Sequence, residues 1–228
     1  MSSLTQRLEA VQQRIAAAAE SSGRTAADIT LIGVTKTKPI ETINEAIEAG
    51  LTHIGENRIQ EAREKLPDIR QGATRHMIGH LQRNKVKYAV KLFDMIQSID
   101  NISLAEDINA RCAKMDHQMP VLIEVNTSGE ESKIGCNPSG ALTLLRAIDR
   151  LPNLSVRGFM TIALYSSDVE QVRPCFKLLR EIFEEAKEIP VEHANIETLS
   201  MGMSSDFETA IEEGSTMVRI GSAIFGDR

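Results

Sequence analysis

Eight short apolar segments rich in β-branched residues alternate with helical segments along the 228-residue chain, which predicts parallel strand pairing. Two further observations select among parallel folds. Eight strands can close into a ring with no exposed edge, and the G-x-G-x-x-G fingerprint of an open dinucleotide-binding sheet does not follow the first strand. The predicted fold is therefore a single (β/α)8 TIM-type barrel with an extra N-terminal helix, one domain over residues 1–228. No linker, low-complexity tract or composition shift marks a second domain.

The elements follow in order. Ser3 and Gln6 form a capping-box pattern, and Leu4, Leu8, Val11, Ile15 and Ala19 recur at helical spacing until Gly23. The first strand is Ile29–Val34, and Pro39 opens a helix that closes at Gly50. The remaining strands are read at 51–54, 75–78, 94–97, 120–125, 155–159, 197–200 and 216–220. The clearest helices lie at 40–49, 101–114, 139–150, 169–188 and 207–213. Residues 46–55 echo residues 210–221: each stretch is a helix ending on glycine, then a buried strand that ends on another glycine.

Composition limits the function. The chain has 26 basic and 32 acidic residues, a net charge of −6, which argues against a general nucleic-acid binder. Met1–Arg7 carries no apolar signal-peptide core, and no apolar run approaches a membrane span. Cys112, Cys136 and Cys175 are odd in number and widely spaced, the pattern of reduced thiols in a cytoplasmic protein. His76 and His80 are four apart but straddle a strand and its loop, so they do not make a helical metal-ligand pair, and no metal is expected. Arg83, Lys85, Lys87 and Lys91 read as a solvated helix face, with a partner or anion surface as the alternative.

In such barrels chemistry sits at the C-terminal ends of the strands. The first strand delivers Lys36, whose amine would rise into the mouth of the barrel, and a lysine among apolar walls makes an available nucleophile. The seventh and eighth strands deliver Ser200 to Ser205 and Arg219 to Ser222, where barrels often cradle a phosphate. Gly202 and Gly221 let backbone N–H groups approach an anion, a helix N-terminus adds positive potential, and Ser200, Ser204 and Ser222 add hydroxyls. A lysine facing a phosphate cradle suits pyridoxal 5′-phosphate (PLP). On spacing alone a solvated lysine and ordinary glycine–serine loops remain open.

Longer blocks sharpen this reading. They are Val34-Thr35-Lys36-Thr37-Lys38-Pro39, Ile54-Gly55-Glu56-Asn57-Arg58-Ile59-Gln60-Glu61 and His76-Met77-Ile78-Gly79-His80-Leu81-Gln82-Arg83-Asn84-Lys85. Further along come Val125-Asn126 with Ser132-Lys133-Ile134-Gly135, Arg157-Gly158-Phe159-Met160-Thr161-Ile162, Leu199 to Phe207, and Val218 to Gly226. In this order, and over essentially the whole chain, the sequence resembles the pyridoxal phosphate homeostasis protein family, related to the N-terminal barrel of alanine racemase. The resemblance implies that Lys36 carries PLP as a Schiff base. It implies phosphate contacts from Ser200, Gly221 and Ser222, a contact from Arg219 to the pyridine nitrogen, and Asn57 and Met203 lining the same pocket. Lys133, in a loop after the fifth strand, would be a secondary aldehyde-reactive amine.

The resemblance also bears on catalysis. The related racemases take a second base, a tyrosine, from a separate C-terminal domain of the partner subunit. Here the sequence ends at Arg228, and Tyr88 and Tyr165 match neither that domain nor its motif. A guanidinium at Arg219 opposes protonation of the ring nitrogen, which makes the cofactor a poorer electron sink. The expectation is a monomeric PLP homeostasis protein without assigned catalytic residues, which holds the aldehyde and delivers it to PLP-dependent apoenzymes. A PLP-dependent amino-acid racemase or other low-activity amino-acid enzyme is the alternative, and a barrel binding an unrelated phosphorylated metabolite comes third.

Overall fold

The computed structural model describes residues 2–130, 133–166 and 168–226. Ser132 and Arg228 lie outside them. The strands are β1 (Thr30–Val34), β2 (His53–Glu56), β3 (Thr74–Met77), β4 (Met95–Ile99), β5 (Met119–Glu124), β6 (Leu154–Met160), β7 (Thr198–Ser200) and β8 (Met217–Ile220). All pair in parallel in sequence order, and β8 returns to β1 through Thr30–Met217 to Gly33–Ile220. The sheet is a closed (β/α)8 barrel, as the alternation predicts.

The helices are α1 (Leu4–Ser21), α2 (Ile40–Glu48), α3 (Ile59–Lys65), α4 (Val86–Leu92), α5 (Ile102–Ala113), α6 (Ala141–Ile148), α7 (Val169–Lys187), α8 (Phe207–Glu212) and α9 (Ser222–Phe225). The Ser3–Gln6 capping box starts α1. Its role follows from the shortness of α9, whose single turn cannot cover the seam between β8 and β1. Helix α1 packs against α8, α9 and α2 and fills that place in the outer ring. Arg7 Nε donates to Ile224 O at 2.7 Å, and Arg24 NH1 donates to Ser215 O at 2.8 Å, which pins both ends of α1. Leu4, Leu8, Val11 and Ile15 are buried beneath it.

The internal echo has a physical basis. Gly50 and Gly214 both have φ of +102°, and each ends its helix with the same closure. Leu51 N donates to Ala46 O and Ser215 N to Ala210 O, six-residue loops that fit a left-handed glycine after a helix. The second strand differs from expectation. It runs over His53–Glu56, not 51–54, so Gly55 and Glu56 belong to the barrel wall. A side chain at Gly55 would force its neighbours to shift, because a Cβ would stand 2.9 Å from the Ile32 side chain and 2.8 Å from that of Ile78.

Candidate functional site

Strand alternation sets the direction of Lys36. Residues two apart in extended chain share a face; Thr35 N prolongs the path of β1 by donating to Gly55 O, and Val34 and Lys36 line one cavity of about 410 Å3 at the barrel mouth. Thr35 turns the other way and is fully buried beside Glu56 and Lys65. The other walls come from the β7 and β8 ends: Met203, Ser204 and Ser205 from one, and Arg219, Gly221 and Ser222 from the other. Tyr165, 90% exposed, stands at the rim. Lys38 also reaches the cavity, but its ammonium donates to Phe225 O at 3.2 Å and Gly226 O at 3.0 Å.

The β7 loop takes its shape from Gly202 and Asp206. Gly202 has φ of +95°, and a Cβ there would lie 2.9 Å from Phe207 Cα, so no larger residue fits without moving α8. Asp206 Oδ1 accepts from Met203 N at 2.6 Å and fixes the turn. Ser204 Oγ then stands 3.3 Å from Gly221 N and 3.5 Å from Ala223 N. Two backbone donors and a hydroxyl thus converge at the cavity edge.

Arg219 forms the floor. Its guanidinium is buried, donating to Ser200 Oγ at 2.8 Å and Thr161 O at 2.8 Å. Burial lowers its pKa to about 10, opposed by the charges of Glu124 and Asp206, so it stays charged at neutral pH. Burial also raises the Glu124 carboxyl to about 7; Arg219 opposes that shift and Asp100 adds to it.

Ser200 occupies a different position from a cavity wall. It is fully buried below Arg219, and its hydroxyl donates to Gln97 Oε1 at 2.8 Å. Gln97 Nε2 lies 3.1 Å from His76 Nδ1, and His76 Nε2 lies 2.9 Å from His53 Nδ1. Burial, with His53 beside it, lowers His76 to about 3, so it is neutral and can accept from Gln97 and donate to His53. Arg219, Ser200, Gln97, His76 and His53 thereby form one polar spine through the barrel. His76 pairs with His53, not with His80.

The structure therefore gathers Lys36, Met203, Arg219, Gly221 and Ser222 around one cavity, and leaves Ser200 and Asn57 off its wall. Asn57 Oδ1 is buried without a hydrogen-bond partner among the described residues, and its backbone packs under Gly79. Lys133 stands in a separate hollow, donating to Ala163 O at 3.0 Å and paired with Glu130 at 2.9 Å. Within the basic run, Arg83 pairs with Asp107, and Lys87 lies over the Tyr88 ring. Glu124 and Glu56 stand at strand ends in the sequence, but Lys65 and its pairing with Glu56 and Glu61 are not predicted by it. The Glu61–Lys65 spacing of four was the available signal.

The residues fit PLP by their chemistry. The amines of Lys36 and Lys38, one buried cation and a set of backbone and hydroxyl donors face a cavity of the size that small cofactors occupy.

Comparison with known proteins gives a consistent result. The model of the alanine racemase N-terminal domain matches residues 6–228. A pyridoxal phosphate homeostasis protein of Aquifex aeolicus is 43% identical over 227 residues, covering 98% of this chain and 97% of that protein. Its counterpart in Escherichia coli K12 is 39% identical over 232 residues, covering 100% and 98%. Among solved structures, PipY of Synechococcus elongatus with PLP bound superposes with a TM-score of 0.82 at 30% identity, covering 98% of this chain and 100% of PipY. An alanine racemase of Clostridium difficile shares the fold at a TM-score of 0.65 and 15% identity, and this chain covers 53% of it. The chain belongs to the pyridoxal phosphate homeostasis protein family, built on the alanine racemase N-terminal domain.

Proposed function

We propose that this protein binds PLP in the β1–β7–β8 cavity, holds it covalently through Lys36, and serves intracellular PLP homeostasis by delivering it to PLP-dependent apoenzymes. The observation that carries the reading is that Lys36, Arg219 and the Gly221–Ser222 donors share one cavity. When bound, PLP supplies an aldehyde that condenses with primary amines and a ring that can accept electrons.

The chain's own residues have separable tasks. Lys36 offers the amine. Ser204, Gly221 and Ser222 offer hydroxyl and N–H donors suited to a phosphate dianion. The one-turn α9 adds little macrodipole, so these local donors carry the phosphate preference. Arg219, still charged at neutral pH, would disfavour protonation of the ring nitrogen and so suits holding over amino-acid chemistry. The three free thiols support a reducing, cytoplasmic setting, and the few exposed large apolar side chains support a monomer.

Titration with PLP and with pyridoxal tests the cradle. PLP is expected to bind much more tightly and to give a visible absorbance band; equal affinities would rule the cradle out. Loaded protein mixed with an apo-aminotransferase should restore its activity, and no restoration beyond that given by the free PLP in the mixture would refute delivery.

A further inference from the structure

We propose that Lys65 and Glu61 are positioning residues for Lys36, gripping the main chain on both sides of it. The inference rests on the reading that Lys36 holds the PLP aldehyde. Lys65 ends α3 and is buried between that helix and the barrel wall. Its ammonium has three donors and meets three acceptors: Thr35 O, Glu56 Oε1 and Glu61 Oε1, each at 2.7 Å. The Thr35 hydroxyl donates to the same Glu56 carboxylate, and Thr35 N donates to Gly55 O at 3.0 Å. Thr35 is thus held by backbone and side chain, immediately before Lys36.

The grip continues on the other side. Thr37 has φ of +63°, a left-handed conformation that a β-branched residue adopts only under constraint. Its backbone N–H donates to Glu61 Oε1, the oxygen that also accepts from Lys65. One ion cluster on α3 therefore fixes the residues before and after Lys36. A buried ion cluster gains little stability over apolar residues of similar volume, but it is sensitive to geometry. Lys36 requires such geometry. A one-residue slip of the strand end would turn its side chain from the barrel mouth to the helical layer.

The test compares Glu61→Ala with Glu61→Gln, which keeps an acceptor for Thr37 N–H. The primary readout is the rate at which Lys36 captures PLP, from borohydride quenching and peptide mapping. Hydrogen exchange at the Thr37 amide reports the contact itself. E61Q is expected to keep Thr37 protected and to capture PLP within about twofold of wild type. E61A should lose the protection and slow capture about tenfold or more, the scale of a small misplacement of a reacting group. Capture by E61A at the wild-type rate, or equal slowing in E61Q and E61A, would overturn the proposal. Should E61A not fold, Glu61→Asp is a shorter carboxylate that draws back from Thr37 while keeping the charge, and it should behave as E61A. If wild-type protein carries PLP elsewhere than on Lys36, the functional reading fails, and reductive methylation of Lys36 by formaldehyde decides the clamp alone. Methylation should then be slower in E61A than in E61Q, and equal rates would refute the clamp.

Discussion

Substitutions at Ser200 and Ser204 are expected to separate support of Arg219 from contact with the proposed phosphate. Ser200→Ala removes one hydroxyl that both accepts from Arg219 NH1 and donates to Gln97 Oε1, each at 2.8 Å, at a fully buried position. The void is a single oxygen wide, too small to admit water, so a buried donor and a buried acceptor lose their partner. At about 1–3 kcal/mol for each unsatisfied group, the expected loss of stability is roughly 3 kcal/mol. Ser204 Oγ, in contrast, is partly exposed and, among the described residues, accepts from Gly221 N and Ala223 N at 3.3 and 3.5 Å. Ser204→Ala should therefore cost under about 1 kcal/mol of stability. It should instead weaken PLP about tenfold while leaving pyridoxal nearly unchanged, the loss of one charge-assisted hydrogen bond. Urea unfolding and parallel PLP and pyridoxal titrations of both variants provide the assay. A stability loss under about 1 kcal/mol in S200A, or a selective loss of PLP over pyridoxal in S200A but not in S204A, would refute the division of roles.

Three further outcomes are expected. Glu124 has a native pKa near 7, above its ordinary value, so the folded state binds its proton more tightly than the unfolded state, and stability conferred by the protonated group is lost as pH rises through about 4.5 to 7. Glu124→Gln should match wild type near pH 4 and exceed it by up to about 3 kcal/mol above pH 7, and equal stabilities at pH 8 in urea unfolding would contradict the burial argument. Gly202→Ala should destabilise the protein by roughly 2 kcal/mol and weaken PLP binding, because the new Cβ meets Phe207 and the loop bearing Ser204 must shift; an unchanged unfolding midpoint would sink that reading. PLP-loaded wild type and Arg219→Glu, incubated with single enantiomers of several amino acids, should show negligible racemisation by chiral chromatography, since the substitution supplies no second base. Lysine-dependent turnover near 1 per second or faster in either protein would favour an enzyme over a carrier.

The barrel was legible because its strands are short buried runs punctuated by glycine and turn residues, and the period of the pattern survives without tertiary information. All eight strands fall within two residues of their expected ends, and the second is the one shifted as a whole, starting and ending two residues later than expected. Gly55 reads as a terminator in sequence, yet it continues the strand, paired with Val34 of β1 and His76 of β3. Helix α3 is not among the clearest helices in the sequence, because seven residues give too few turns for a periodic apolar stripe. The position of Lys36 followed from the rule that barrel strands end at the active face. Ser200 did not follow from that rule. A serine at a strand end can face the mouth or the barrel interior, and only the Gln97 side chain arriving from β4 distinguishes the two. The Thr35–Glu56–Glu61–Lys65 cluster is likewise a product of packing between α3 and the wall, invisible to local patterning.

Borohydride reduction of the PLP-loaded protein, followed by peptide mapping, tests the attachment directly. A stable pyridoxyl adduct is expected on the peptide containing Lys36, with loss of that adduct and of the visible absorbance band in Lys36→Ala. A native adduct found mainly on Lys38 or Lys133, or one that survives undiminished in Lys36→Ala, would contradict it.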